Sequence, residues 1–159
     1  MNLDEIQALW DEDSKLDQDE LHVESTKIPS LHAKYYKIYN NLTLLKKVEE
    51  IKLKQAKKEK WLYYTGKADP EIYIDKPFDH KVIRQDMDMY LGSDDDLIKI
   101  QSKMDYYQVM LNYLDSILKS ITNRTYQIKN AIEWQKFIRG YSDSVSYTHL
   151  RAHETQFHL

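Results

Sequence analysis

The sequence predicts a mainly α protein built from two long helices joined by an irregular acidic loop. Three observations point there. Only three Gly and three Pro occur in 159 residues, too few chain breakers for a turn-rich sandwich or barrel. Apolar residues recur in heptads from Leu97 to Gln135, the mark of a long helix that associates with others. A second stripe at helical spacing starts near Ser30 and passes into a lysine-rich segment. The length suits one domain, or a compact domain with appendages. The balance of 42% hydrophobic and 31% charged residues fits a soluble helical chain.

Taken in order, residues 1–29 read as an acidic arm with a short amphipathic helix carrying Leu3, Ile6, Leu9 and Trp10. Residues 30–66 are expected to form the first long helix, beginning after Pro29 with Ser30 as N-cap. Leu31, Tyr35, Ile38, Leu42 and Leu45 make its apolar stripe, and lysines take over after Lys46. The helix is expected to end at Tyr64 and stop at Gly66, its first half facing a core and its second half basic and exposed. Residues 67–93 contain Pro70, Pro77 and many Asp without long periodicity. They read as an acidic loop with weak β content, 72–74 and 81–84 being candidate short strands.

The second long helix is assigned to 94–143. Ser93 is its expected N-cap, and Asp94, Asp95 and Asp96 then place carboxylates at the positive end of the helix dipole. That role is preferred over a divalent-metal site. Leu97, Met104, Leu111, Leu118, Thr125 and Ile132 follow at intervals of seven, with Ile100, Tyr107, Leu114, Ile121, Ile128 and Gln135 between them. A 3.5-residue repeat held this long is a coiled-coil seam. Val109, Met110, Ile117 and Ala131 widen it, so more than one partner helix is expected. The apolar seam positions are therefore candidate self-association residues, the alternative being the core helix of a monomeric bundle. Residues 144–159 read as a non-native tail, because VSYTHLRAHET resembles a translated sequencing-library adapter. The natural C-terminus is then expected to differ. The helical metal spacing of His149 and His153 carries little weight for the same reason.

Composition excludes several classes. With no cysteine there is no disulfide scaffold, thiolate zinc site or cysteine nucleophile. No apolar run approaches the roughly 18 residues of a membrane span. The acidic start lacks the basic and apolar regions of a signal peptide. Phosphate-binding GxxxxGK[ST], GxGxxG and GxSxG motifs are absent, and His22, His32 and His80 are scattered without a nucleophile beside them. A non-enzyme without cofactor or metal is expected, and a metal-dependent nucleic-acid enzyme using the Asp-rich loop 69–96 is the weaker rival.

The net charge of −3 conceals strong segregation. Residues 1–25 sum to −8, 26–68 to +8, 69–96 to −6 and 97–143 to +3. Lys46 to Lys67 alone hold eight Lys against three Glu and end in Trp61, Leu62, Tyr63, Tyr64, Thr65, Gly66, Lys67. Cations supply phosphate contacts and rings supply faces for bases, the combination of a single-strand nucleic-acid site. Lys54, Lys57, Lys58, Lys60, Tyr63, Tyr64 and Lys67 are the candidate contacts. The plain alternative is a solvated lysine surface, with Glu50–Lys54 and Glu49–Lys52 merely supporting the helix. One of Tyr63 and Tyr64 is expected in the core, since neighbours on a helix face differently. A helical adaptor without nucleic-acid binding is the rival function.

Three segments carry a family resemblance. MNLDEIQ at the start, KEKWLYYTGKAD at the junction and DDDLIKIQSKMDYYQVMLNYLDSILKSITNRTYQIKNAIEWQKF along the second helix resemble the UvsY recombination-mediator family of T4-like tailed phages. The likeness spans about residues 1–140, and the junction is its most specific part. It implies a ring-like, mostly helical homo-oligomer in the cytoplasm of the infected host. It implies binding of single-stranded DNA and loading of a phage RecA-like recombinase onto strands covered by the phage single-strand-binding protein. Lys58 and Lys60 match the family's two basic DNA-contacting positions. One is Lys where Arg is common, which removes a bidentate phosphate contact. The acidic arm and the tail depart from the family pattern.

Overall fold

In a computed structural model every regular element among the described residues is helical. The structure describes residues 1–157, with side chains described for 1–140. In order come α1 (Leu3–Asp13), α2 (Leu21–Tyr64), α3 (Pro70–Asp75), a 3-10 turn (Arg84–Asp86), α4 (Met87–Gly92) and α5 (Asp95–Phe157). No strand occurs among the described residues. The chain divides into two compact units, one of Met1–Tyr35 with Ile117–Leu159, the other Tyr36–Ser116.

In the first unit α1 is held at both ends. The Asn2 side-chain oxygen accepts from the Glu5 amide at 2.8 Å, and Asp4 and Glu5 sit in the first turn where the dipole favours them. Ile6 is fully buried, and Trp10 meets Tyr35 edge-on with centroids 5.5 Å apart. At the far end the guanidinium of buried Arg124 donates to the carbonyls of Asp13 and Ser14 at 2.8 and 2.9 Å. Those are orphan carbonyls of a helix terminus, so one cation satisfies two of them. Arg124 also lies 5.7 Å from the Trp10 ring centroid.

The start of α2 departs from expectation. The helix begins at Leu21, and Pro29 lies inside it rather than ahead of it. A proline within a helix removes one hydrogen bond and costs about 3 kcal/mol. Here Leu21 and Glu24 on one side of Pro29 and Tyr35 on the other are buried in the same unit, and that burial offsets the cost. Ser30 is accordingly no cap. Its hydroxyl donates to the Lys27 carbonyl at 2.9 Å, as Thr26 does to Val23 at 2.7 Å.

The end of α2 falls where the sequence places it. Gly66 has φ +74° and is the one residue of positive φ among the described residues. Its amide bonds the Tyr63 carbonyl at 3.2 Å, and the Lys67 amide bonds the Leu62 carbonyl at 2.8 Å. This pair of bonds is a Schellman motif, and a Cβ at Gly66 would strain it.

Segment 67–93 is not the loop with strands that its sequence suggested. Residues 72–74 lie in α3, which starts at Pro70, and Arg84 opens the 3-10 turn. The β-branched residues favoured strand, but with no neighbouring strand to pair with, local hydrogen bonds win. The cap of α5 also shifts by one residue. Asp94 Oδ1 accepts from the amides of Asp96 and Leu97 at 3.0 and 3.1 Å. Ser93 instead ends α4, its hydroxyl donating to the Met89 carbonyl at 2.7 Å. Asp94 thus caps the helix, with Asp95 and Asp96 in its first turn.

The heptad seam is largely consumed inside the chain. In the second unit Leu97, Leu111 and Leu114 are buried, with Ile100, Met104 and Tyr107 half-buried. In the first unit Ile121 and Ile128 are buried, with Leu118 and Ile132 half-buried. The line Leu114, Ile121, Ile128 is kept and Leu111 is buried beside Met110, but from there on the buried partner line is Ile117 and Arg124 instead of Leu118 and Thr125. The stripe is rotated by one residue, and these positions are core before they are anything else.

Candidate nucleic-acid interface

The basic segment lies in the second unit, where ion pairs sort its lysines into two sets. Lys46 pairs with Glu50 and donates to Gln108, and Lys52 pairs with Glu49. Buried Glu49 also takes Lys103 at 3.2 Å. Lys60 is held by Asp96 at 2.7 Å and Asp94 at 3.4 Å, its side chain only 21% exposed. Burial works against the charge on Lys60, but the two carboxylates outweigh it and hold the ammonium above the usual lysine range. The same hydrogen bond holds Asp96 below the usual carboxylate range. Lys54, Lys57 and Lys58 are exposed and have no carboxylate partner among the described residues.

The two candidate tyrosines have protein partners. The Tyr64 hydroxyl donates to Asp94 Oδ2 at 2.6 Å. Burial, and then that acceptor, push its phenol well above the usual range. The Tyr63 hydroxyl donates to the Lys76 carbonyl at 2.9 Å, and its ring stacks on Tyr73 with centroids 5.4 Å apart. Phe78 packs against both rings, and Tyr90 against Tyr64. Both tyrosines are half-buried, so this cluster fastens segment 67–93 to the end of α2. Only one of the pair was expected inside. Their partners come from an aperiodic stretch, whose folding back nothing in the spacing announced.

Trp61 is the ring left at the surface, 41% exposed, with Lys67 Nζ 4.7 Å above its centroid. Lys54, Lys58 and Trp61 stand at i, i+4 and i+7, and Lys57 is four residues before Trp61. They form one flank of the helix. Leu44, Leu45, Val48 and Ile51 are also exposed, on the flank beside it. The exposed surface of α2 therefore carries an apolar strip and a cationic strip ending in an indole.

Comparison with known proteins decides the family. A family model described as "Recombination, repair and ssDNA binding protein UvsY" matches residues 9–141. The chain belongs to the UvsY family. Recombination protein uvsY of Enterobacteria phage T4 is 22% identical to this UvsY-family chain over 140 residues, covering 88% of it and 99% of the relative. Two crystal structures of the bacteriophage T4 recombination mediator protein UvsY share its fold. The lattice type II form has a TM-score of 0.79 at 22% identity, covering 87% of this chain and 98% of the other. The lattice type IV form has a TM-score of 0.79 at 23% identity, covering 86% and 99%. The family match stops just before residues 144–159, whose side chains, His149 and His153 included, lie outside those described. No helix among the described residues is long and apolar enough to cross a membrane.

Proposed function

We propose that this protein is a recombination mediator. It binds single-stranded DNA and promotes loading of a RecA-like recombinase onto strands covered by single-strand-binding protein, in the cytoplasm of an infected bacterium. The observation that carries this is the set Lys54, Lys57 and Lys58, without an ion-pair partner among the described residues, beside exposed Trp61 in a member of a single-strand-binding family. Free ammonium groups release counterions from the strand and give affinity without sequence preference. An indole adds stacking that every base can use.

Self-association multiplies these contacts, since later ones on a shared strand are intramolecular. A ring-like homo-oligomer fits this role. Because the seam is largely core, the surface that supports association is the exposed strip Leu44, Leu45, Val48 and Ile51. Val48→Asp with Ile51→Asp should lower the mass seen by sedimentation while leaving the helix content intact. An unchanged mass would remove this strip from assembly.

The direct test is fluorescence anisotropy of labelled oligo-dT across a salt series with the full chain. Binding should exceed that to duplex and fall steeply with salt. Absence of binding at low salt would overturn the proposal. The mediator step is read by recombinase ATPase on strands precoated with single-strand-binding protein, which this chain should raise.

A further inference from the structure

Beside the cationic flank lies a cleft of about 670 Å³ in the second unit. Its lining includes Trp61 and Thr65 at the end of α2, Arg84 of the 3-10 turn, and Met87, Asp88 and Leu91 of α4. Met87 is buried and Leu91 half-buried, which gives the cleft an apolar base. Arg84 and Asp88 are exposed, and neither side chain has an ion pair or hydrogen bond among the described residues. The Thr65 hydroxyl donates to the Trp61 carbonyl at 2.8 Å, so its lone pairs are left to accept. Lys67 covers the indole but does not line the cleft.

We infer that this cleft receives an unstacked nucleobase of the bound strand, with Trp61 as its stacking face. The inference rests on the single-strand reading above and deepens it from phosphate contact to base contact. A base is a flat apolar ring with a polar edge of carbonyl and N–H groups. The cleft offers the complement: an indole and two apolar side chains for the ring, Arg84 to donate, and Asp88 and Thr65 to accept. Its size is within the roughly 300–1,000 Å³ of small-ligand sites. Lys57 and Lys58 precede Trp61 by four and three residues, about one helical turn or 5.4 Å along the axis. Phosphates held by those lysines therefore leave the adjoining base beside the indole. One donor with two acceptors suits every base, so the site selects single strands over duplex without selecting sequence.

The test uses the full chain with Trp10→Phe and Trp134→Phe, which leaves Trp61 as the sole tryptophan. Oligo-dT is compared with an abasic strand of equal length, whose phosphates are identical. We expect oligo-dT to quench the Trp61 emission and to bind roughly tenfold more tightly than the abasic strand. Trp61→Leu should abolish that preference and Trp61→Phe should keep part of it. Equal binding of the two strands with unmoved emission overturns the base cleft and leaves the phosphate contacts standing. Binding of neither strand overturns the single-strand reading itself.

Discussion

The two units contain nearly the same polar cluster and use it differently. In the first, Asp13 accepts from Lys34 at 2.6 Å and from the Tyr35 hydroxyl at 2.8 Å. In the second, Asp94 accepts from the Tyr64 hydroxyl at 2.6 Å and pairs with Lys60 at 3.4 Å. Each joins one aspartate, one lysine and one tyrosine at a helix end. In the first unit Arg124 is drawn in as well, and the cluster fastens the end of α1 to α2 and α5. In the second the cluster removes Lys60 from a run of lysines in which Lys54, Lys57 and Lys58 have no carboxylate partner among the described residues. A high local density of lysine thus says little about which cations are available. That is decided by which carboxylates fold back on them.

Mutation separates the roles of the two clusters. The largest effect is expected from Arg124→Ala, which strips a buried cation from two carbonyls. Urea unfolding should show a loss of roughly 3 kcal/mol, with single-strand affinity of the folded protein unchanged. A loss of DNA affinity at full stability would show the first unit to be more than architecture.

Next is the combined change of Lys54, Lys57 and Lys58 to Ala. The log–log salt slope for single-strand binding should flatten by about 2, at ~0.7 per phosphate contact. The unfolding midpoint should scarcely move, because exposed lysines away from partners contribute within about 0.5 kcal/mol. An unaltered slope would place the strand elsewhere.

Lys60→Ala should do the reverse of that triple change on a smaller scale. Stability should fall by about 1 kcal/mol, since Asp94 and Asp96 lose their cation, and DNA affinity should fall less than for Lys58→Ala. A larger affinity loss with unchanged stability would mean that Lys60 leaves its carboxylates to reach the strand.

The smallest effect is in acid. At Asp13, burial raises the carboxyl's pKa, but the hydrogen bonds from Lys34 and Tyr35 outweigh it and hold the group below its ordinary 3.8. Asp96 is also held below 3.8, by Lys60. Groups depressed in the folded state contribute stability above the unfolded value and lose it as pH falls through the folded one. Stability should be level from neutral pH to about 5 and decline below about 4. Asp13→Asn should flatten that decline more than Asp96→Asn, because Asp96 is the more exposed carboxylate. An equal slope in Asp13→Asn would show that this carboxylate is not selectively bonded.

The sequence alone determined what depends on neighbours close along the chain. Gly66 had to end α2, because a left-handed residue there suits glycine and completes the Schellman bonds. The acidic triplet had to start α5, because carboxylates suit the orphan amides of a helix N-terminus. The charge blocks located the basic segment, and the heptads announced a long apolar helix. Tertiary structure alone decided what depends on burial and on distant partners. It carried α2 through Pro29, turned residues 72–74 into helix and moved the buried stripe of α5 onto Ile117 and Arg124 in place of Leu118 and Thr125. It folded Tyr73, Phe78 and Tyr90 over Tyr63 and Tyr64 and left Trp61 outside. Local spacing sets which face a side chain is on, whereas only the assembled unit sets what covers that face.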